Sequence, residues 1–169
     1  MTEIIIKRHQ LIDDIASAAW VVADVEEGKE TPHRLHQTFD ICQDGNLPLT
    51  ERLIGLALAE IELSLLPLLP GAEHRKLRKG VRNNLPEEIR VKLNIKSDRG
   101  KGAASRLLVV MHDYIVARVL EEWLSITLPA SAPTWKRKAE ELMEIISRLP
   151  SEEQRWQGPA AFSRPCSPF

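Results

Sequence analysis

The chain has 169 residues, 43% of them hydrophobic, and sets 23 Lys and Arg against 24 Asp and Glu. That length is enough for one domain that buries a core without disulfides, and the two cysteines, Cys42 and Cys166, make neither a disulfide framework nor a metal knuckle. A net charge of −1 argues against a generally basic nucleic-acid binder, and MTEIIIKRHQ returns to charge after three isoleucines, so it does not read as a signal peptide.

Thr2 to Lys7, TEIIIK, is β-rich and reads either as a lead-in strand or as the opening turn of the first helix. His9 to Val25 is predicted as that helix, with Ile12, Ile15, Ala19 and Val22 on one face and Leu11, Ala18 and Val25 beside it. Gly28 ends it. Thr31-Pro32 opens a second helix, Thr as the cap and Pro in the first turn, where its missing N–H costs nothing. Leu35, Phe39 and Cys42 form its apolar edge, and Asp44-Gly45-Asn46 stops it.

A third helix is predicted over residues 50–66, with Ile54, Ala57, Leu58, Ile61 and Leu65 on one face and Leu53, Leu56 and Leu63 widening it. Pro67 and Pro70-Gly71 end it. The segment GAEHRKLRKGVRNNLP is a basic connector. Ile89, Val91, Leu93 and Ile95 alternate with Arg90, Lys92 and Asn94, the pattern of a strand over residues 88–95. Its backbone needs a partner, and Glu3 to Lys7 is the one the chain offers. Ser97 to Gly102 reads as a flexible turn.

Residues 103–128, AASRLLVVMHDYIVARVLEEWLSITL, are apolar nearly all the way round and predict a central helix with a narrow polar stripe at Tyr114, Arg118, Glu121 and Ser125. His112, Asp113, Arg118 and Glu121-Glu122 exclude a membrane span, which needs about 18 or more uninterrupted apolar residues. Ser131-Ala132-Pro133 starts the last helix, with a seam of Trp135, Ala139, Leu142, Ile146 and Leu149. From Pro150 the composition turns to a proline-bearing segment without period, predicted as a disordered tail or interaction arm. Trp20, Trp123 and Trp135 are expected in the core, and Trp156 as an anchor on another subunit.

Charge is unevenly spread. Between His74 and Arg106 eleven Lys and Arg face three Asp and Glu, so the segment is +8 and the rest of the chain −9. Such a segment is either a solvated connector or a contact surface for an acidic partner. Nucleic acid could be held through phosphates, but the run His74–Arg82 has no aromatic residue to stack on bases.

Candidate chemistry is thin. His33, His36 and Asp40 share a face of the predicted second helix at a spacing a metal could use, with no fourth ligand at a telling distance. His112 and Asp113, about 100° apart on a helix, do not face each other, and His112 reads as a buried, hydrogen-bonded histidine. Arg99-Gly100-Lys101-Gly102 lacks the phosphate-loop spacing and reads as a hinge. Glu121-Glu122 and Glu140-Glu141 read as solvated faces. No nucleophile elbow or Cys/His arrangement is present. No catalysis, metal or cofactor is expected.

The segments HDYIVARVLEEWLSITLP and TWKRKAEELMEIISRL resemble the C-terminal half of small head–tail connector (neck or adaptor) proteins of tailed bacteriophages and prophages. TERLIGLALAEIELSLLPLL is similar to the early helix of the same proteins, and the resemblance spans residues 50–149. It implies a virion structural protein acting by subunit–subunit contacts, a homo-oligomeric ring beside other virion proteins, with possible contact to the DNA backbone. It also implies residence in the host cytoplasm and then in the virion. It carries over no catalytic residue, and the basic segment with its strand corresponds to a variable insertion.

The resulting expectation is an all-α bundle of about five helices with one or two short strands, residues 3–7 and 88–95. Residues 1–150 form one domain and 151–169 a tail. The interaction surface is expected at Arg75, Lys76, Arg78, Lys79, Arg82, Arg90, Lys92, Lys96 and Trp156, with residues 88–96 at a subunit contact. The alternative function is a nucleic-acid-associated helical regulator using the basic segment 75–106. An enzyme with a pocket around His112 and Tyr114 is a third reading.

Overall fold

Three consecutive isoleucines, stiff at χ1, favour extended backbone, and the chain opens as strand β1, Thr2–Lys7. In the computed structural model, which describes residues 2–26, 40–70, 85–94 and 97–156, β1 pairs antiparallel with β2, Glu88–Leu93. The register runs from Thr2 opposite Leu93 to Lys7 opposite Glu88. Ile4, Ile6, Ile89, Val91 and Leu93 are buried, while Glu3, Ile5, Lys7, Glu88, Arg90 and Lys92 face outward. The ribbon expected from the alternation therefore forms within one chain.

Helix α1, Arg8–Glu26, continues from β1 without a loop. The Arg8 N–H donates to Glu87 O at 2.9 Å, extending the ladder by one bond into the helix. Its buried line is Leu11, Ile15, Ala19 and Ala23, with Ile12, Ala18 and Val22 packed at the margin. Trp20 departs from expectation: it is 58% exposed. One residue past Ala19 turns a helix by about 100°, which carries the indole off the core face. Thr31-Pro32, Leu35, Phe39, His33 and His36, and with them the expected second helix, lie outside the described residues.

Asp40–Cys42 forms a 3-10 turn. Ile41 is fully buried, and the Cys42 thiol points to Ile12 O at 3.5 Å. Helix α2 then runs Leu47–Ser64, three residues earlier than the periodicity suggested. Asn46 stands at its N-cap and Pro48 in its first turn, where a proline is tolerated. Thr50 and Glu51, expected at the helix start, are thereby inside it and buried; the Thr50 hydroxyl donates to Ile41 O at 2.5 Å. A 3-10 turn at Leu66–Leu68 ends this segment, and Leu68 O accepts the Asn94 N–H at 2.7 Å.

Helix α3, Ser97–Thr127, is the central element, with α1, α2, α4 and β1 packed against it. It begins earlier than expected: Gly100 and Gly102 are helical, not a hinge. Ser97 and Asp98 suit a helix N-terminus, and the packing of the rest of the helix outweighs about 1 kcal/mol per glycine. Met111, Ile115, Ala117, Val119, Leu120 and Leu124 are fully buried. Val109 and Ile126, inside the run that reads as apolar nearly all the way round, are exposed.

Ser131 N–H bonds Leu128 O at 3.0 Å in the tight turn to α4, Ala132–Trp156. Ala139 and Ile146 are buried and Trp135, Leu142 and Leu149 pack at the edge of the core, the seam read from the sequence. The helix continues through Pro150, where a tail was expected. Proline fits helical φ and here forfeits a single bond, and the next residues, Ser-Glu-Glu-Gln-Arg-Trp, include good helix formers. Residues 157–169, with Cys166, lie outside the described residues. The described architecture is mainly helical, four α-helices and a two-stranded sheet.

Candidate interaction surface

Of the residues expected to form an interaction surface, Arg90 and Lys92 lie on the outer face of β2. Arg90 is ion-paired to Glu88 at 2.6 Å, and Lys92 Nζ lies 3.9 Å from Glu3 Oε1 across the ribbon. The Glu88 hydrogen bond and the nearby Glu3 hold the Arg90 guanidinium above its ordinary pKa. The outer face is thus a mixed, cross-paired surface and not the basic one the strand suggested by itself, because the partner strand supplies the carboxylates. Arg75, Lys76, Arg78, Lys79, Arg82 and Lys96 lie outside the described residues. Trp156 is the last residue of α4.

The backbone of the ribbon has a definite direction. In an antiparallel pair, residues alternate between those bonded to the partner strand and those turned away. The Arg8 N–H bonds Glu87 O, so Ile6, Ile4 and Thr2 face β2, and Ile89, Val91 and Leu93 face β1. Glu3, Ile5 and Lys7 on one edge, and Glu88, Arg90 and Lys92 on the other, turn their backbone groups outward. Asn94 continues the second edge and donates to Leu68 O. Among the described residues no backbone acceptor receives the N–H of Ile5, Arg90 or Lys92.

Two polar networks, neither foreseen, tie the elements together. At one end Arg8 donates through Nη1 to Glu51 of α2 and through Nε to Glu87 at 3.3 Å, and His9 Nδ1 lies 2.7 Å from Glu87 Oε1. His9 and Arg8 together hold the Glu87 carboxyl below the usual carboxylate range. This junction joins β1, α1, α2 and the lead into β2. Its participants are far apart in the chain and each looks like an ordinary surface charge in sequence.

The second network is on the stripe of α3 read as polar. The Tyr114 hydroxyl donates to Glu60 of α2. Arg118 Nε donates to Glu60 Oε2 at 3.2 Å, and its Nη1 lies 2.9 Å from Glu121 and 2.7 Å from Glu122. Glu121 and Glu122 are therefore partners of Arg118; Glu121 is mostly covered, while the Glu122 side chain stays exposed. Burial works against the Arg118 charge, but the three carboxylates overcome it and raise its pKa. Burial first, then Glu60, raises the Tyr114 pKa, so the phenol stays protonated as a donor. Among the described residues, one cation against three carboxylates leaves a formal excess of two negative charges beside α2.

His112 is half-buried, with Nε2 3.3 Å from Asp14 of α1 and Nδ1 3.9 Å from Asp113. Asp14, and not the neighbour Asp113, is its close partner. Asp40 bonds the Gln43 amide. Among the described residues no group of His, Cys, Asp and Glu is placed to hold a metal, and no buried side-chain nitrogen or oxygen lacks a hydrogen-bond partner. No helix among them is long and apolar enough to cross a membrane.

Large apolar side chains stand on the surface in a pattern. Leu49, Leu56 and Leu63 of α2 are 40%, 40% and 63% exposed, at seven-residue spacing on the side of the helix away from Ile54, Ala57 and Ile61. Comparison with protein-family models, curated proteins and solved structures finds no match for the chain.

Proposed function

We propose that this chain is a virion structural protein of a tailed bacteriophage or prophage, a head–tail connector subunit that acts by subunit–subunit contacts and without catalysis. The reading includes a bundle of about five helices, the fifth formed by the segment that opens at Thr31-Pro32. The observation that carries it is the ribbon with its two outward edges. An unpaired edge is a template for another strand, and strand addition takes affinity from backbone bonds and register from alternate side chains.

Each copy offers one β1 edge and one β2 edge. Joining the β1 edge of one copy to the β2 edge of the next is a heterologous contact, which closes into a ring when the rotation permits. Glu3 and Lys7 on the first edge, and Glu88, Arg90 and Lys92 on the second, provide opposite charges for setting the register. The basic segment Arg75–Arg82 would face an acidic neighbouring virion protein or the DNA passing through. The protein would reside in the host cytoplasm before assembly and in the virion after it.

The test is a proline at an outward position. Val91 and Leu93 bond inward and are buried, so a proline there would damage the ribbon itself. Ile5→Pro and Arg90→Pro place the ring where an outward N–H was, a position an edge tolerates. Sedimentation should show loss of the higher assembly for both variants, with unchanged far-ultraviolet circular dichroism. Assembly equal to the parent's would sink the proposal.

A further inference from the structure

We propose that the outer face of α2 is a second, independent contact surface, and that its partner is α2 of another copy, packed antiparallel about a twofold axis at Leu56. This does not rest on the connector reading. The observation is a self-complementary order of residues along the exposed face. About a twofold axis at Leu56, residues at equal height have numbers that sum to 112, which along the ridge through Leu56 sets Arg52 against the partner's Glu60. Leucine meets leucine at the axis, and cation meets anion on either side of it.

The geometry suits the commonest helix packing. Arg52, Leu56 and Glu60 are spaced i, i+4, i+8 and form one ridge; at a crossing of about 50° such ridges of two helices run side by side. Laid antiparallel, the two central ridges place each Arg52 beside the partner's Glu60. The flanking ridges, Leu49–Leu53 on one side and Ala59–Leu63 on the other, each meet their own counterpart in the partner, apolar against apolar. Gly55 and Ala59 keep the flank low, so the axes can approach. A parallel arrangement would set Arg52 against Arg52 and Glu60 against Glu60, and repulsion excludes it.

Charge points to the same partner. Arg52 is exposed and, among the described residues, has no ion pair, whereas Glu60 belongs to a network with two surplus negative charges and keeps 39% of its side-chain surface exposed. The cation that the acidic cluster lacks among the described residues and the anion that Arg52 lacks among them lie two turns apart on one helix, so α2 cannot bring them together along its own axis. A second copy reversed end for end supplies both. The contact is small, about two to three helical turns of each copy at such a crossing, and a weak dimer is expected, about 1–100 µM.

Sedimentation equilibrium of the full chain and of three variants tests this. Ile5→Pro, which closes the strand edge, should leave a dimer. Leu56→Arg added to it should give a monomer with unchanged circular dichroism, since Leu56 is exposed. Arg52→Glu in the Ile5→Pro background should weaken the dimer at least tenfold. Under mild oxidation Leu56→Cys should cross-link to itself in a covalent dimer mapped to position 56, while Leu63→Cys should not. A monomeric Ile5→Pro chain at 200 µM (about twice the upper limit above), an unchanged mass on adding Leu56→Arg, or self-cross-linking at position 63 in place of 56 would each overturn the inference. Loss of assembly in Ile5→Pro down to the dimer, and no further, separates this contact from the strand edge.

Discussion

Helix α2 has two apolar faces, and the fold uses only one. Ile54, Ala57, Ile61 and Leu65 are fully buried against α3 and its neighbours, while Leu49, Leu56 and Leu63 on the other side are 40–63% exposed. Composition does not distinguish the faces, since both are built from aliphatic residues. The difference lies in the polar residues between them. Thr50 and Glu51 on the inner side find partners inside the chain, in Ile41 O and Arg8. Arg52 on the outer side finds none among the described residues. A face whose polar residues are satisfied internally is core, while the face of Leu49, Leu56 and Leu63 carries Arg52 without a charged partner among the described residues.

The contrast is sharpest between two tryptophans. Trp123 is 7% exposed and Trp20 58%. Trp123→Ala should cost about 3–5 kcal/mol, the effect of emptying an aromatic core site, while Trp20→Ala should cost less than about 1 kcal/mol. Urea unfolding of both variants checks this, and similar midpoints would mean that the inner and outer surfaces have been misassigned. Trp135, at the edge of the core and under Lys138, whose ammonium lies 5.0 Å from its ring centroid, should fall between them.

Within α2 the same experiment separates the faces directly. Ile61→Ala should lose about 2–5 kcal/mol, and Leu56→Ala about 0.5 kcal/mol or less in a monomeric background. Equal losses would show that Leu56 supports the monomer fold and would remove the reason to treat its face as a docking surface.

Smaller still is the comparison of polar groups. Tyr114→Phe deletes the hydroxyl bond to Glu60, which keeps its Arg118 bonds, so a loss of about 0.5–1.5 kcal/mol is expected. Arg52→Ala should be neutral within about 0.5 kcal/mol. A stability cost for Arg52→Ala as large as for Tyr114→Phe would show an internal partner for the arginine.

The smallest effect concerns Cys42, on the inward side. Burial, and secondarily the nearby Asp13, push its thiol from an ordinary 9.0 up to about 11. Between those values the folded state keeps a proton that the unfolded state releases, so this contribution is whole below pH 9 and is lost as pH rises toward 11. At pH 8 iodoacetamide should label Cys42 slowly in the folded chain and rapidly in urea, read by peptide mass mapping. Equal rates would place the thiol on the outward side.

Much of the architecture was legible in the residues. The alternation Ile89, Val91, Leu93 identified the second strand, and its need of a backbone partner pointed to Ile4–Ile6, a segment that by itself read either as a strand or as the opening turn of the first helix. The seam of α4 was legible because its period is strict. The helix boundaries were less so. Gly100, Gly102 and Pro150 read as breaks, yet all are helical, since a packed helix absorbs about 1–3 kcal/mol of local cost when the residues around it are good formers.

That α3 is central, that one ribbon forms and that no membrane span is present among the described helices could be read from the residues alone. Period and apolar content depend on neighbours a few residues away, so the linear order carries them. Which leucines of α2 face inward, that Glu60 and Glu51 meet Arg118 and Arg8, and that the outer face of β2 is charge-balanced by β1 became definite only in three dimensions. Those are pairings between residues 43 to 89 positions apart. A charge carries no mark of its partner in one dimension, and whether it is satisfied inside the chain or left for another depends on what the fold brings within about 4 Å of it.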